Sequence, residues 1–215
     1  MEQAEAFVLD QISLAQRSLI PGTLKTAYEA AALVVKDEPI FNVPSAVDNR
    51  GRIIQWSVDL AFQRLVTSGK WPFHFEWREF EKPTGRYLEI LPSHCSITIS
   101  QTADPTKQPR DAKFRANKRL SGQGWLKGLP KPHGESNSMG LPHLLLLHGH
   151  QELNFAHLAM PKGAHQSGFY YRSPNILLMP HVVAESEAPI EDTDIEAVMT
   201  LKGEIDKWRA DNDRQ

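Results

Sequence analysis

Three histidines in the second half of the chain, His148, His150 and His157, have a spacing that suits metal binding. They lie in HLLLLHGHQELNFAHLAMP, residues 143–161, where a short polar link joins two apolar runs of strand length. This pattern predicts a β-hairpin. Side chains two residues apart in a strand point to the same face, so we expect His148 and His150 to share one face.

A hairpin that turns at Glu152-Leu153 would pair His148 with His157 and His150 with Phe155. Directly opposed residues in antiparallel strands have Cβ atoms ~5 Å apart, so the three imidazoles would converge on one ion. Three histidines and a water molecule form a known zinc site, so this alternative implies a divalent metal, zinc or magnesium, as cofactor. We expect the other arrangement, a polar cluster at the exposed end of the strands without tightly held zinc. A one-residue change of register would separate the histidines.

The segment from Asp104 to Lys131 carries a high density of positive charge. It contains eight Lys or Arg and two Asp, a net charge of +6 in a chain whose formal net charge is −2. Phosphate contacts need only cationic side chains that a loop can supply, and an aromatic side chain can stack on an unpaired base. We therefore predict a binding protein that contacts nucleic acid or another polyanion through residues 107–131. The residues predicted to take part are Lys107, Arg110, Lys113, Arg115, Lys118, Arg119 and Trp125.

Two other classes of protein remain open. A metal-dependent hydrolase, above all a nuclease, would use the histidine group, or would hold magnesium with Asp111, Lys113 and the upstream Glu76 and Glu89. A protein-interaction module would instead dock through its acidic tail, because residues 184–215 contain ten acidic and four basic residues. The acidic tail and the basic segment are also able to neutralise each other.

The hydrophobic pattern predicts the elements that position these residues. Apolar residues at three- and four-residue spacing predict three helices in the first third of the chain, with Pro21 ending the first, Thr23 capping the second and Gly69 capping the third. From Phe73 onwards the period is two, which predicts strands joined by short connections in an antiparallel meander. Further strands follow the basic segment. The tail has helical spacing with dense charge, which predicts an amphipathic helix.

These elements predict a single α+β domain over residues 1–215. It consists of N-terminal helices (1–69), an antiparallel sheet of five to six strands (71–183) with a long basic loop (102–140), and a charged C-terminal helix (190–215). One domain is favoured over two because the helices have large apolar faces that the sheet must cover.

Composition limits where such a protein acts. The chain has one cysteine, Cys95, so an internal disulfide is excluded and a reducing compartment is favoured. Its longest apolar run is far shorter than the ~20 residues of a membrane span, and acidic residues stand where a secretory signal carries positive charge. We therefore expect a cytoplasmic protein that does not contact a membrane, with Cys95 as a small buried core residue.

Overall fold

The computed structural model of the protein describes residues 3–47, 49–80, 85–110, 115, 118, 141–162, 168–179 and 203. The helices are α1 (Gln3–Gln11), α2 (Leu14–Asp37), α3 (Pro44–Val47) and α4 (Arg50–Thr67), with 3-10 turns at Pro39–Asn42 and Ile176–Leu178. The strands are β1 (His74–Glu79), β2 (Arg86–Leu91), β3 (Ser96–Thr102), β4 (His143–Gly149), β5 (Ala156–Pro161) and β6 (Phe169–Arg172). Within these ranges no helix has the length and hydropathy needed to cross a membrane.

The first helical break lies earlier than the sequence predicted. Helix α2 begins after Ser13, whose side chain and backbone form a capping box with Gln16. The helix then continues through Pro21, so the prediction that Pro21 ends it is wrong. Ile20 and Leu24 are fully buried on either side of the proline, and this packing outweighs the loss of one backbone N–H.

Helix α4 packs against α2. Its buried residues include Ile54, Val58 and Phe62, at the four-residue spacing of a single face. The helix ends at Thr67, and Gly69 follows with φ of 77°. A left-handed residue after the last turn satisfies carbonyls at the helix end, and glycine adopts this conformation at no steric cost. The predicted C-terminal cap is therefore confirmed.

The six strands form one sheet in the order β1-β2-β3-β4-β5-β6. Strands β1 to β3 are an antiparallel meander, as predicted, and β4 to β6 are a second one. The two meanders meet at β3 and β4, which are parallel, with Ser96 opposite His143 and Thr102 opposite Gly149. The sheet is therefore mostly antiparallel, and the long connection from residue 103 to 142 allows the chain to re-enter at the same end.

The sheet has two different faces. The face covered by α2 and α4 belongs to the main hydrophobic core, with Ile97, Leu144 and Leu146 completely buried. On the other face, Leu145 and Leu147 form a smaller cluster with Phe155 and Ala159. All four leucines of β4 are thus buried, as expected for a strand inside the sheet. The fold is α+β.

Two predictions concern other parts of the chain. Cys95 is buried, as expected of a small core residue, and burial raises the pKa of its thiol to about 12. The charged helix predicted at residues 190–215 lies outside the described residues, apart from Gly203.

Candidate functional site

His148, the penultimate residue of β4, lies in a closed environment under helix α2. Its Nδ1 lies 2.7 Å from the Tyr28 hydroxyl, and that hydroxyl donates its hydrogen to the Gly149 carbonyl. Because the hydroxyl has only one hydrogen, it must accept from Nδ1–H of the histidine. His148 is fully buried, and burial lowers its pKa to about 3, so the ring is neutral. Its Nε2 is a lone-pair acceptor without a hydrogen-bond partner among the described residues.

The register of β4 and β5 separates His148 from His157. Leu147 is opposite His157, and His148 is opposite Ala156, so the predicted pairing of the two histidines is wrong by one residue. His148 consequently faces the helices, whereas His157 faces the opposite side of the sheet. There its Nδ1 is 2.8 Å from the Ser173 carbonyl oxygen.

The conformation of the β4–β5 loop explains why the observed register differs by one residue from the predicted register. The loop folds back so closely over Gly149 that a Cβ there would overlap the Glu152 carbonyl oxygen. Gln151 has φ of 65°, a left-handed conformation that non-glycine residues adopt rarely. The bend therefore differs from the symmetrical turn predicted at Glu152-Leu153. The pattern of apolar residues in a sequence does not predict such a bend.

His150 lies outside the pair of strands and packs against the start of α4. A Cβ at Gly51 would be 3.1 Å from the His150 Cε1 atom, so the helix backbone approaches this ring closely. His148 is buried, contrary to the expectation that the histidines lie towards an exposed end. Among the described residues, which include all three histidines, no group of three or more His, Cys, Asp or Glu is placed to hold a metal ion.

Two of the predicted nucleic-acid-binding residues are turned towards the sheet. Lys118 Nζ forms an ion pair with Glu89 Oε1, and the side chains of these residues are 21% and 4% exposed. Arg115 donates to the Ser100 hydroxyl at 3.0 Å and to the Arg110 carbonyl at 2.8 Å. The side chains of Lys118 and Arg115 therefore form their contacts within the protein. Lys113, Arg119 and Trp125 lie outside the described residues.

Glu89 is the centre of a polar network on this face of the sheet. Its other oxygen, Oε2, is 3.1 Å from Arg78 Nε, and Arg78 Nη2 is 2.6 Å from Glu76. Burial acts to raise the pKa of Glu89, but the hydrogen bond and charge of Lys118, with the Arg78 contact, lower it overall. Glu76 and Glu89, the carboxylates considered for a nuclease, are thus both paired with arginine. Asp111 lies outside the described residues.

The segment that carries Lys107 and Arg110 contacts residues that are distant in the sequence. Gln108 donates to the carbonyls of Lys162 and Gly168, and Arg172 Nη1 is 2.6 Å from the Pro105 carbonyl oxygen. These bonds attach the segment after β3 to the ends of β5 and β6. Four cationic residues, Lys107, Arg110, Lys162 and Arg172, are consequently carried by adjoining segments, and we call them the cationic surface.

Most of the cationic surface is open to solvent. Arg110 and Arg172 are exposed, and the Lys107 side chain is 78% exposed. Lys107 has a partner in Asp104, but at 3.4 Å and with 40% of the Asp104 side chain exposed this pair is weak. Lys162 and Arg172 were missed in the sequence, because a local count of charge does not include residues so distant along the chain.

Comparison of the chain with protein-family models, with curated proteins and with solved structures gave no match.

Proposed function

We propose that the protein is a cytoplasmic binding protein that contacts nucleic acid or another polyanion through the cationic surface. The observation that carries the proposal is the attachment of the segment after β3 to β5 and β6, which gathers Lys107, Arg110, Lys162 and Arg172. Phosphate contacts require cations that are exposed and carried close together, without exact side-chain geometry. Arg115 and Lys118 are withdrawn from the predicted binding residues because Lys118 neutralises the buried Glu89 and Arg115 donates to the buried Ser100 hydroxyl.

The cytoplasmic location is part of the proposal. The only cysteine of the chain is Cys95, and it is a buried free thiol. Such a thiol is compatible with a reducing compartment.

The test is the salt dependence of binding to a fluorescent single-stranded or duplex oligonucleotide. Replacement of Lys107 and Arg110 by Ser should weaken binding and flatten the log–log salt slope by about 0.9 for each phosphate of the duplex that is no longer bound. The matched control replaces Lys70 and Arg86, which are exposed elsewhere, and removes the same charge. It should leave the slope unchanged.

Two outcomes would contradict the proposal. Absence of salt-sensitive binding by the wild-type protein to either probe refutes the function. An equal change of slope in the Lys70 and Arg86 control shows that binding follows overall charge and refutes the assigned surface.

Replacement of Lys118 alone should lower stability and leave the slope unaltered, since Lys118 is paired with Glu89.

A further inference from the structure

A cleft of about 460 Å³ opens between α2, the start of α4 and the β4–β5 loop. Its volume lies in the range of small-molecule sites, about 300–1,000 Å³. It contains none of the residues of the cationic surface. The parallel strands β3 and β4 both end near it, because Gln101 of β3 donates at 2.6 Å to the Gly51 carbonyl at the start of α4. The carboxyl ends of parallel strands are a common location for ligand sites.

The cleft is lined by both apolar and charged residues. Ala31, Ala32 and Val35 of α2 form the apolar wall together with Ile54 of α4. The charged lining residues within the described part of the chain are two cations, Lys36 and Arg50, from two different helices, and one anion, Glu152, from the loop. A ligand that fits this distribution has an anionic group, an uncharged body and a hydrogen-bond donor.

Arg50 is the residue in the cleft that most clearly lacks a partner. Its Nε atom is buried and has no hydrogen-bond acceptor among the described residues. A buried N–H group without an acceptor is unfavourable, and more so when it is charged. A bound anion would accept a hydrogen bond from this N–H group and neutralise the adjacent positive charge.

The cleft is also held in shape before any ligand binds. Tyr28 lines it, and the Tyr28 hydroxyl is fixed by the Gly149 carbonyl and by His148. Close packing of Gly51 on His150 fixes the start of α4, where Arg50 lies. A site formed in advance loses less conformational entropy when it binds its ligand.

We propose that this cleft binds a phosphate monoester of a hydroxyl-bearing small molecule, the chemistry shared by nucleoside monophosphates and sugar phosphates. The phosphate lies between Lys36 and Arg50, whose two positive charges match the charge of about −1.5 to −2 on a phosphate monoester at neutral pH. The body of the ligand packs on the wall formed by Ala31, Ala32 and Val35. A ligand hydroxyl donates to Glu152.

Isothermal titration of the full chain tests the site with five probes: AMP, UMP, glucose 6-phosphate, inorganic phosphate and adenosine. At least one of the three phosphate monoesters should bind saturably, and if AMP binds, adenosine should bind at least tenfold more weakly than AMP. The AMP, UMP and glucose 6-phosphate arms separate a nucleoside from a sugar ligand. No saturable binding of any monoester, or equal affinity for AMP and adenosine when AMP is the monoester bound, would overturn the proposal.

Variants then locate the site. Arg50→Gln should weaken the bound monoester at least tenfold, whereas Arg52→Gln, an exposed arginine two residues further on that does not line the cleft, should not. If Arg50→Gln fails to fold, Lys36→Gln at an exposed position provides the same test. Ala32→Leu should weaken the monoester more than inorganic phosphate, which has no body to meet the wall. Equal effects of the Arg50 and Arg52 replacements would refute the cleft as the site.

Discussion

The two faces of the sheet are buried by different means. The face under α2 and α4 is covered by aliphatic and aromatic side chains, and Leu88, Ile90 and Ile97 are at most 1% exposed. The opposite face buries Glu89, Thr98 and other polar residues almost as completely. Burial of polar and charged groups is favourable only when they are paired, so this second face requires partners of complementary charge.

Those partners come from the segment that connects β3 to β4. Lys118 reaches Glu89, and Arg115 reaches Ser100, while His143 within the sheet bonds Thr98 at 2.9 Å. Part of the positive charge of the basic segment therefore has a structural role. A count of charge along the sequence overestimates the charge that is available to a partner, and only the cations that do not bond buried polar side chains of the sheet support polyanion binding.

The largest expected effect on the free energy of unfolding comes from hydrophobic packing, which differs between the two faces. Leu146→Ala on the helix-covered face should lower the free energy of unfolding by about 3–5 kcal/mol, because the surrounding core is extensive and cannot collapse into the cavity. Leu147→Ala on the other face, although equally buried, opens a cavity in a cluster of four buried residues and should cost about 2–3 kcal/mol. Urea unfolding of both variants measures the difference. A larger loss for Leu147→Ala would contradict this ranking.

The second prediction concerns the charged centre of the opposite face. Glu89→Gln leaves Lys118 without its counter-charge at a site where the lysine side chain is only 21% exposed. We expect a loss of about 2–3 kcal/mol, below the value for a fully buried pair, because Lys118 and Arg78 retain some solvent contact. The measurement is again the free energy of unfolding in urea at neutral pH.

A matched control and a double variant sharpen that prediction. Glu79 pairs with Arg86 at 2.9 Å, but both side chains are about two-thirds exposed, so Glu79→Gln should cost less than about 1 kcal/mol. Replacement of the whole pair, Glu89→Leu with Lys118→Met, should restore stability to within about 1 kcal/mol of the wild type. If the double variant is as unstable as Glu89→Gln, the loss does not come from an unpaired charge.

The helix-covered face was predicted from the sequence more successfully than the polar face. Apolar spacing in α4 and the four leucines of β4 coincide with buried residues, and the period of two from Phe73 coincides with strand β1, although Trp77 of that strand is exposed. The left-handed conformation of Gly69 was predictable for a similar local reason. These features depend on residues close together in the sequence.

The features that were not predicted depend on distant residues. A buried strand such as β4 has the same apolar pattern in parallel and antiparallel pairing, so its parallel alignment with β3 left no local sign. The register that separates His148 from His157 follows from the bend over Gly149. From its residue type alone, Lys118 is expected to be a solvated cation. Only its position opposite Glu89 shows that it stabilises the fold. The cleft near Arg50 combines residues from two helices and a loop.

The smallest expected effect is a pH dependence that originates on the helix-covered face. His148 has a pKa of about 3 in the folded protein, lowered by burial, against about 6.5 for an unfolded histidine. Below pH 6.5 the unfolded chain therefore binds a proton that the folded protein does not, and stability falls as the pH falls towards 3. Between pH 7 and pH 5 His148 alone should reduce the free energy of unfolding by about 2 kcal/mol.

The variant His148→Asn isolates this contribution, since an asparagine amide can still donate to the Tyr28 hydroxyl. Only the difference between variant and wild type is informative, because Asp59 acts in the opposite direction: burial raises its pKa to about 7, so its protonation favours the folded state as the pH falls from 7 to 4. The variant should lose about 2 kcal/mol less than the wild type between pH 7 and pH 5 in urea unfolding. His74→Asn on the exposed strand β1 is the matched control. An unaltered pH dependence in His148→Asn would show that His148 is not held neutral in the folded protein.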